Sequence, residues 1–124
     1  MSQDLPALPD ILRVVREFIE KIKDSVPEQE RYYAMCCSYL LAVAEREVIN
    51  GATLDAEESN AMSAFLGMPL NAAEACVELA RGLRAGRFDT DWEQVSALVM
   101  RHVVDKVKIS KPEHLDAMHQ GESL

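Results

Sequence analysis

The sequence predicts an all-α fold: a single-domain bundle of about five helices, with the second at its centre. Three observations predict it. Helix start and stop residues recur at helix-length intervals from Pro9 to Pro112. Between them, apolar residues repeat every three or four positions, the period of a helix with one covered face. No alternating run marks a strand, and the pair Val103-Val104 falls inside a helical stripe with Trp92, Val95 and Val99.

Pro9 sits in the first turn of helix 1, where its missing N–H costs nothing. The stripe Ile11, Val15, Phe18, Ile22 is widened by Leu12 and Ile19. Arg13, Glu17 and Lys21, and Arg16 with Glu20, form i,i+4 pairs on the other face. Ser25-x-x-Glu28, with Pro27 between, starts helix 2, and Gly51 fits the residue just past its end. Helix 3 opens near Thr53 to Asp55, where Asp55-x-x-Glu58 is a capping-box pattern, and closes at Gly67 with Pro69 beyond. Asn71-x-x-Glu74 opens helix 4 and Gly86 closes it. Thr90-x-x-Glu93 opens helix 5, and Lys106 and Lys108 suit the negative end of its dipole before Pro112 ends it. The ordered core is expected over about 8–111, and the polar tail 112–124 is expected to fray. Short connections predict antiparallel neighbours.

A chain of 124 residues fits one domain, and 48% hydrophobic residues suffice for a core. No apolar run approaches the roughly 20 residues needed to span a bilayer. The chain opens on Met1-Ser2-Gln3-Asp4 without a signal-like region, so a cytoplasmic protein without membrane contact is expected. Three cysteines without a Cys-x-x-Cys pair read as small buried hydrophobes. Net charge is −8; residues 1–80 carry six basic and 14 acidic side chains, and residues 81–111 seven basic and four acidic. That balance argues against nucleic acid, which needs a broad basic face.

Helix 2 stands apart. From Tyr32 to Ala44 only Ser38 is polar. A helix apolar all round must be covered all round. Two readings are open: the other helices enclose it, or part of it faces a second protein, a homodimer mate included. Tyr32, Tyr33 and Tyr39 suit an interface, where an apolar ring with a polar tip is useful. Arg46, beside Glu45 and Glu47, is a candidate for a bidentate carboxylate pair inside the bundle or with a partner.

No catalytic, cofactor or metal residue emerges. Glycine-rich phosphate loops and a Gly-x-Ser-x-Gly elbow are missing, and two of the three histidines lie in or near the tail. His102, one turn from Asp105, reads as a boundary histidine bonded to a neighbour, with a general base as the sharper alternative. Arg81, Arg84 and Arg87 at i, i+3, i+6 form a basic edge, which with Lys106 and Lys108 is a candidate dock for an anion or acidic partner.

Several short segments share one order and spacing: Pro9-Asp10-Ile11-Leu12 to Val15-Arg16-Glu17-Phe18, Ala44-Glu45-Arg46-Glu47, Val104-Asp105-Lys106-Val107, and Pro112-x-x-Leu115. Over roughly residues 8–116 the chain resembles a family of small helical bacterial proteins of unknown function. These are encoded beside kinase-like proteins of the aminoglycoside phosphotransferase type and beside acyl-CoA dehydrogenases. One member is similar to the small partner of a hydroxyacyl-CoA kinase in levulinic acid catabolism. The resemblance implies a non-catalytic accessory subunit of such a kinase, with Arg46, Glu47, Asp105, Lys106 and Pro112 at family-like positions. The family often has a small residue followed by asparagine in mid helix 2, where this chain has Ser38-Tyr39. Alternatives of other classes are a stand-alone bundle binding an acyl chain or CoA, and a homodimer of unknown function.

Overall fold

The computed structural model describes residues 5–124, and they form an all-α protein. Four α-helices follow in order: α1 (Leu8–Ile22), α2 (Glu28–Leu66), α3 (Ala72–Arg84) and α4 (Trp92–Ser110). Short 3-10 turns stand at Asp89–Asp91, Pro112–His114 and Gln120–Glu122. Among the described residues there is no strand.

Most of the expected punctuation is in place. Pro9 lies in the first turn of α1. Asn71 caps α3 by accepting a hydrogen bond from the Glu74 N–H at 2.8 Å. Gly67 and Gly86 both hold φ of +74°, where only glycine is unstrained. At Gly86 the Arg87 N–H reaches the Gly82 carbonyl and the Gly86 N–H the Leu83 carbonyl, the Schellman closure of a helix end. Before α4 the 3-10 turn Asp89–Asp91 takes the place of a Thr90 cap.

One boundary differs. The expected helices 2 and 3 are a single helix of 39 residues, which makes four α-helices where the punctuation suggested five. Gly51 lies inside it without a positive φ, and Asp55-x-x-Glu58 is mid-helix sequence and not a capping box. A glycine inside a helix costs only about 1 kcal/mol relative to alanine. Every residue from Ala52 to Asn60 tolerates helical backbone, so nothing forces a turn after Gly51. The Asn50 amide donates to the Arg46 carbonyl at 3.2 Å and stays within the helix.

The chain divides into two compact units, Met1–Gly51 and Ala52–Leu124, and the division falls inside α2. In the first unit α1 and α2 are tied by polar contacts. Arg16 forks onto both oxygens of Glu45, with Nη2 to Oε1 at 3.3 Å and a second bond from Nε to Oε2. Ser38 donates to Glu20 at 3.0 Å, and Arg16 also pairs with Glu20 at 3.4 Å. None of residues 5–50 is buried. The second unit holds the core of Met62, Ala75, Leu79, Phe88 and Val95, with Phe65, Leu66, Leu70, Leu83 and Leu98 packed around it. Gly82 lets the Phe88 ring lie against the α3 backbone: a Cβ there would fall 2.1 Å from Phe88 Cε2. Ser59 and Ser63 both donate to the Leu70 carbonyl, at 2.6 and 2.9 Å, and fasten the α2–α3 turn.

The tail expected to fray is anchored instead. Leu115 and Pro112 are buried. Glu122 pairs with Arg101 at 2.5 Å and with Lys108 at 3.1 Å. Two buried apolar side chains and one carboxylate hold a segment that its composition alone marks as loose.

Candidate functional site

Two places in the molecule carry residues with functional potential, one in each unit. The first is the outer side of α2 before Gly51. Ala34, Ser38, Leu41 and Glu45 repeat at 4, 3, 4 and form the side tied to α1 through Ser38 and Glu45. A second stripe at the same spacing, Tyr32, Cys36, Tyr39 and Val43, lies about 160° round the helix at 100° per residue. Tyr32 is 70% exposed and Tyr33 63%, and their rings meet edge-on with centroids 5.8 Å apart. A hydrogen bond with Cys36 is the main cause that raises the Tyr32 phenol above its ordinary range. Met35, Leu40 and Ile49 are also well exposed, as are Ile11, Val14, Val15 and Phe18 on α1. Of the two open readings of this helix, an enclosed one does not describe the stretch before Gly51.

Arg46 is half-buried and Glu47 is exposed. A bidentate carboxylate pair is formed next door, by Glu45 with Arg16. Its signal was available: Arg16 and Glu45 both lie on segments with apolar neighbours one turn away, where a charge needs an opposite partner.

The basic edge is less uniform than its spacing suggests. Arg81 pairs with Glu78 at 2.7 Å, Arg84 and Lys106 are exposed, and the Arg87 guanidinium lies 5.3 Å from the Phe88 ring centroid. Lys108 is not a surface cation. It is only 8% exposed and is neutralised by Asp105 at 3.3 Å and Glu122 at 3.1 Å. Asp105 also lies 3.5 Å from Arg101, although its buried Oδ1 makes no hydrogen bond of good geometry. Hydrogen bonds from Arg101 first and Lys108 second hold the Glu122 carboxyl down to about 2.

The second place was not legible as a site in the sequence. Glu58 of α2, Cys76 of α3 and His102 of α4 converge beside the core, their ligand-capable atoms all within 4.8 Å of one another. Glu58 is buried at 8% exposure and shares a hydrogen bond with His102 Nδ1. Cys76 Sγ lies 3.8 Å from the same nitrogen. The partner of His102 is thus Glu58, and not Asp105, which belongs to the Arg101–Lys108 group. Burial first, and the Glu58 charge second, push the Cys76 thiol up. A small cavity of about 160 Å³ opens beside the cluster, lined by Met62, Cys76, Leu79, Leu83, Val99 and His102 among others. The three cysteines accordingly differ: Cys37 is exposed, Cys36 and Cys76 half-buried.

Cys, His and Glu together resemble a nucleophile, base and orienting acid. The geometry opposes that use. In such a relay the acid holds one ring nitrogen and the nucleophile faces the other, whereas here Glu58 and Cys76 both face Nδ1. The thiol is moved away from the thiolate that attack requires.

A family model matches residues 24–114, well over half of the chain. The protein belongs to that family, a domain of unknown function (DUF6285). The DUF6285 match includes the outer stripe of α2 and all of Glu58, Cys76 and His102, and it ends before Glu122. No curated protein and no solved structure matches the chain. Among the described residues no helix is long and apolar enough to cross a membrane.

Proposed function

We propose that this DUF6285 protein is a non-catalytic accessory subunit of a phosphotransferase-type kinase acting on a hydroxyacyl-CoA, and that α1 and the outer side of α2 are its docking surface. The observation that carries the reading is the first unit: it has no buried side chain among residues 5–50 and exposes Tyr32, Tyr33, Tyr39 and Leu40 on one helix. Monomers seldom leave contiguous apolar patches larger than a few hundred Å² without a partner. Aromatic rings with polar tips are enriched at the centres of interfaces. The kinase as the partner rests on the resemblance over residues 8–116. The cytoplasm is the compartment this reading implies.

The test is co-purification and kinetics. The kinase encoded beside this chain should be recovered with it, and its activity or solubility should fall when the chain is left out. Replacing Tyr33 and Leu40 with aspartate should abolish recovery while leaving the chain folded. A kinase equally soluble and active alone would end the proposal. Light scattering of the isolated protein addresses the homodimer, which the same exposed stripe would serve. The acyl-pocket alternative draws less support: the cavity beside His102, at about 160 Å³, is below the roughly 300–1,000 Å³ of ordinary ligand sites, and the larger hollow of about 490 Å³ beside Phe65 and Leu98 is a more open depression of the surface.

A further inference from the structure

We propose that Glu58, Cys76 and His102 form a binding site for a zinc-class divalent cation with one coordination position open to the adjoining cavity. The inference is independent of the partner reading and rests on the second unit alone.

The donor set points to this class of ion. A thiolate, an imidazole and a carboxylate are the three side chains that zinc uses, whereas magnesium and calcium demand oxygen. Three protein ligands with an open fourth position is the arrangement of zinc sites that hold water or a further donor. The convergence that defeats a catalytic relay serves a metal: one imidazole nitrogen faces both other donors. Tetrahedral zinc at about 2.0–2.3 Å from its ligands places donor atoms about 3.3–3.7 Å apart. The Sγ–Nδ1 separation of 3.8 Å lies just above that range. The Glu58 carboxylate, now hydrogen-bonded to the ring, moves back to admit the ion.

Charge gives a second argument. Glu58 is a buried carboxylate whose partners Cys76 and His102 line an apolar cavity with Met62, Leu79 and Leu83, surroundings that penalise an unbalanced charge. A dication bound by the Glu58 carboxylate and the Cys76 thiolate makes a site of zero net charge. Binding releases the Cys76 thiol proton, and the proton held between Glu58 and His102 Nδ1 is exchanged through solvent for one on Nε2, so that both Nδ1 and the carboxylate are free to ligate. The three donors stand on three different helices. Each is fixed by neighbours in the core: Met62 lies one turn after Glu58, Ala75 adjoins Cys76, and Leu79 and Leu98 flank the packing of α3 and α4. Such rigid placement favours a preformed site.

Cobalt titration of chelator-treated protein tests this directly. Cobalt(II) should bind one per chain, with the near-ultraviolet charge-transfer band of a thiolate ligand and the visible bands of tetrahedral geometry, and zinc should bleach both. In the C36A/C37A double variant Cys76 is the sole thiol, and the bands should persist. In C76S the charge-transfer band should vanish and zinc affinity fall by about 100-fold or more, since even outer-shell losses cost about 10–100-fold. Zinc should raise the melting temperature of the wild type and the double variant, and not that of C76S. The proposal is overturned if the double variant shows no saturable one-to-one binding, or if the band survives in C76S. Should C76S fail to fold, the double variant decides alone, because its only thiol is Cys76.

Discussion

The two units of this chain share one helix and differ in what they do with their apolar residues. In the second unit Val95 and Ala75 are wholly buried and Met62 nearly so, around a core drawn from α2, α3 and α4. In the first, comparable residues such as Phe18, Leu40 and Ile49 are about three-fifths exposed. Composition does not separate them, because the stretch Tyr32 to Ala44 is the most apolar of the chain. What differs is the supply of covering surface. The second unit closes around its side chains, while two helices alone offer too little surface to bury theirs. A unit that is covered draws stability from its apolar residues; one that is uncovered draws little.

The largest expected effect sharpens this contrast. Met62→Ala should cost about 2–5 kcal/mol of unfolding free energy, the range for deleting a buried aliphatic side chain. Leu40→Ala should stay within about 0.5 kcal/mol in the isolated protein. Urea unfolding of both variants checks the pair, and equal losses would break the comparison. Next, Gly82→Ala drives a Cβ into the Phe88 ring and should cost about 1–3 kcal/mol, with Phe88→Leu in the same chain restoring part of it.

A pH effect follows for the C-terminal anchor. Glu122 is held at about 2 against an unfolded value of 4.5. Its contribution is therefore present above pH 4.5 and lost as pH falls toward 2. Melting followed from pH 5 to 2 should show a drop that is shallower in Glu122→Gln. The smallest expected effect is at the division between the units. Gly51→Ala should stabilise by about 0.5–1 kcal/mol, because the position is helical, provided the flexible Glu47 side chain swings aside. Destabilisation would mean that α2 breaks where the sequence suggested.

Local rules read well in this sequence. The stops at Gly67 and Gly86, the Asn71 cap and the Pro9 start were all legible, because each is decided by a few adjacent residues. Gly51 was misread because a helix-stop residue acts only if the following segment leaves helical backbone, and Ala52 onward does not. Lys108 was misread as surface because its neutralising partner, Glu122, lies 14 residues on in a tail that composition marks as loose. The Glu58–Cys76–His102 cluster was hidden for a related reason. Its members lie 18 and 26 residues apart, and Glu58 carried a competing local explanation as a capping residue. Apolar faces leave a periodic trace in a single sequence, but which polar side chains meet across neighbouring helices does not.

The unbroken course of α2 has a consequence for local unfolding. Of its 39 residues only the later turns are lodged in a core. Opening an amide near Met62 requires disrupting that core, whereas opening one near Tyr33 disrupts little besides the helix itself. Hydrogen exchange should therefore slow progressively along one continuous helix, from Glu28 toward Leu66. A docked partner would be read as a flattening of that gradient, which makes the helix its own reporter of occupancy.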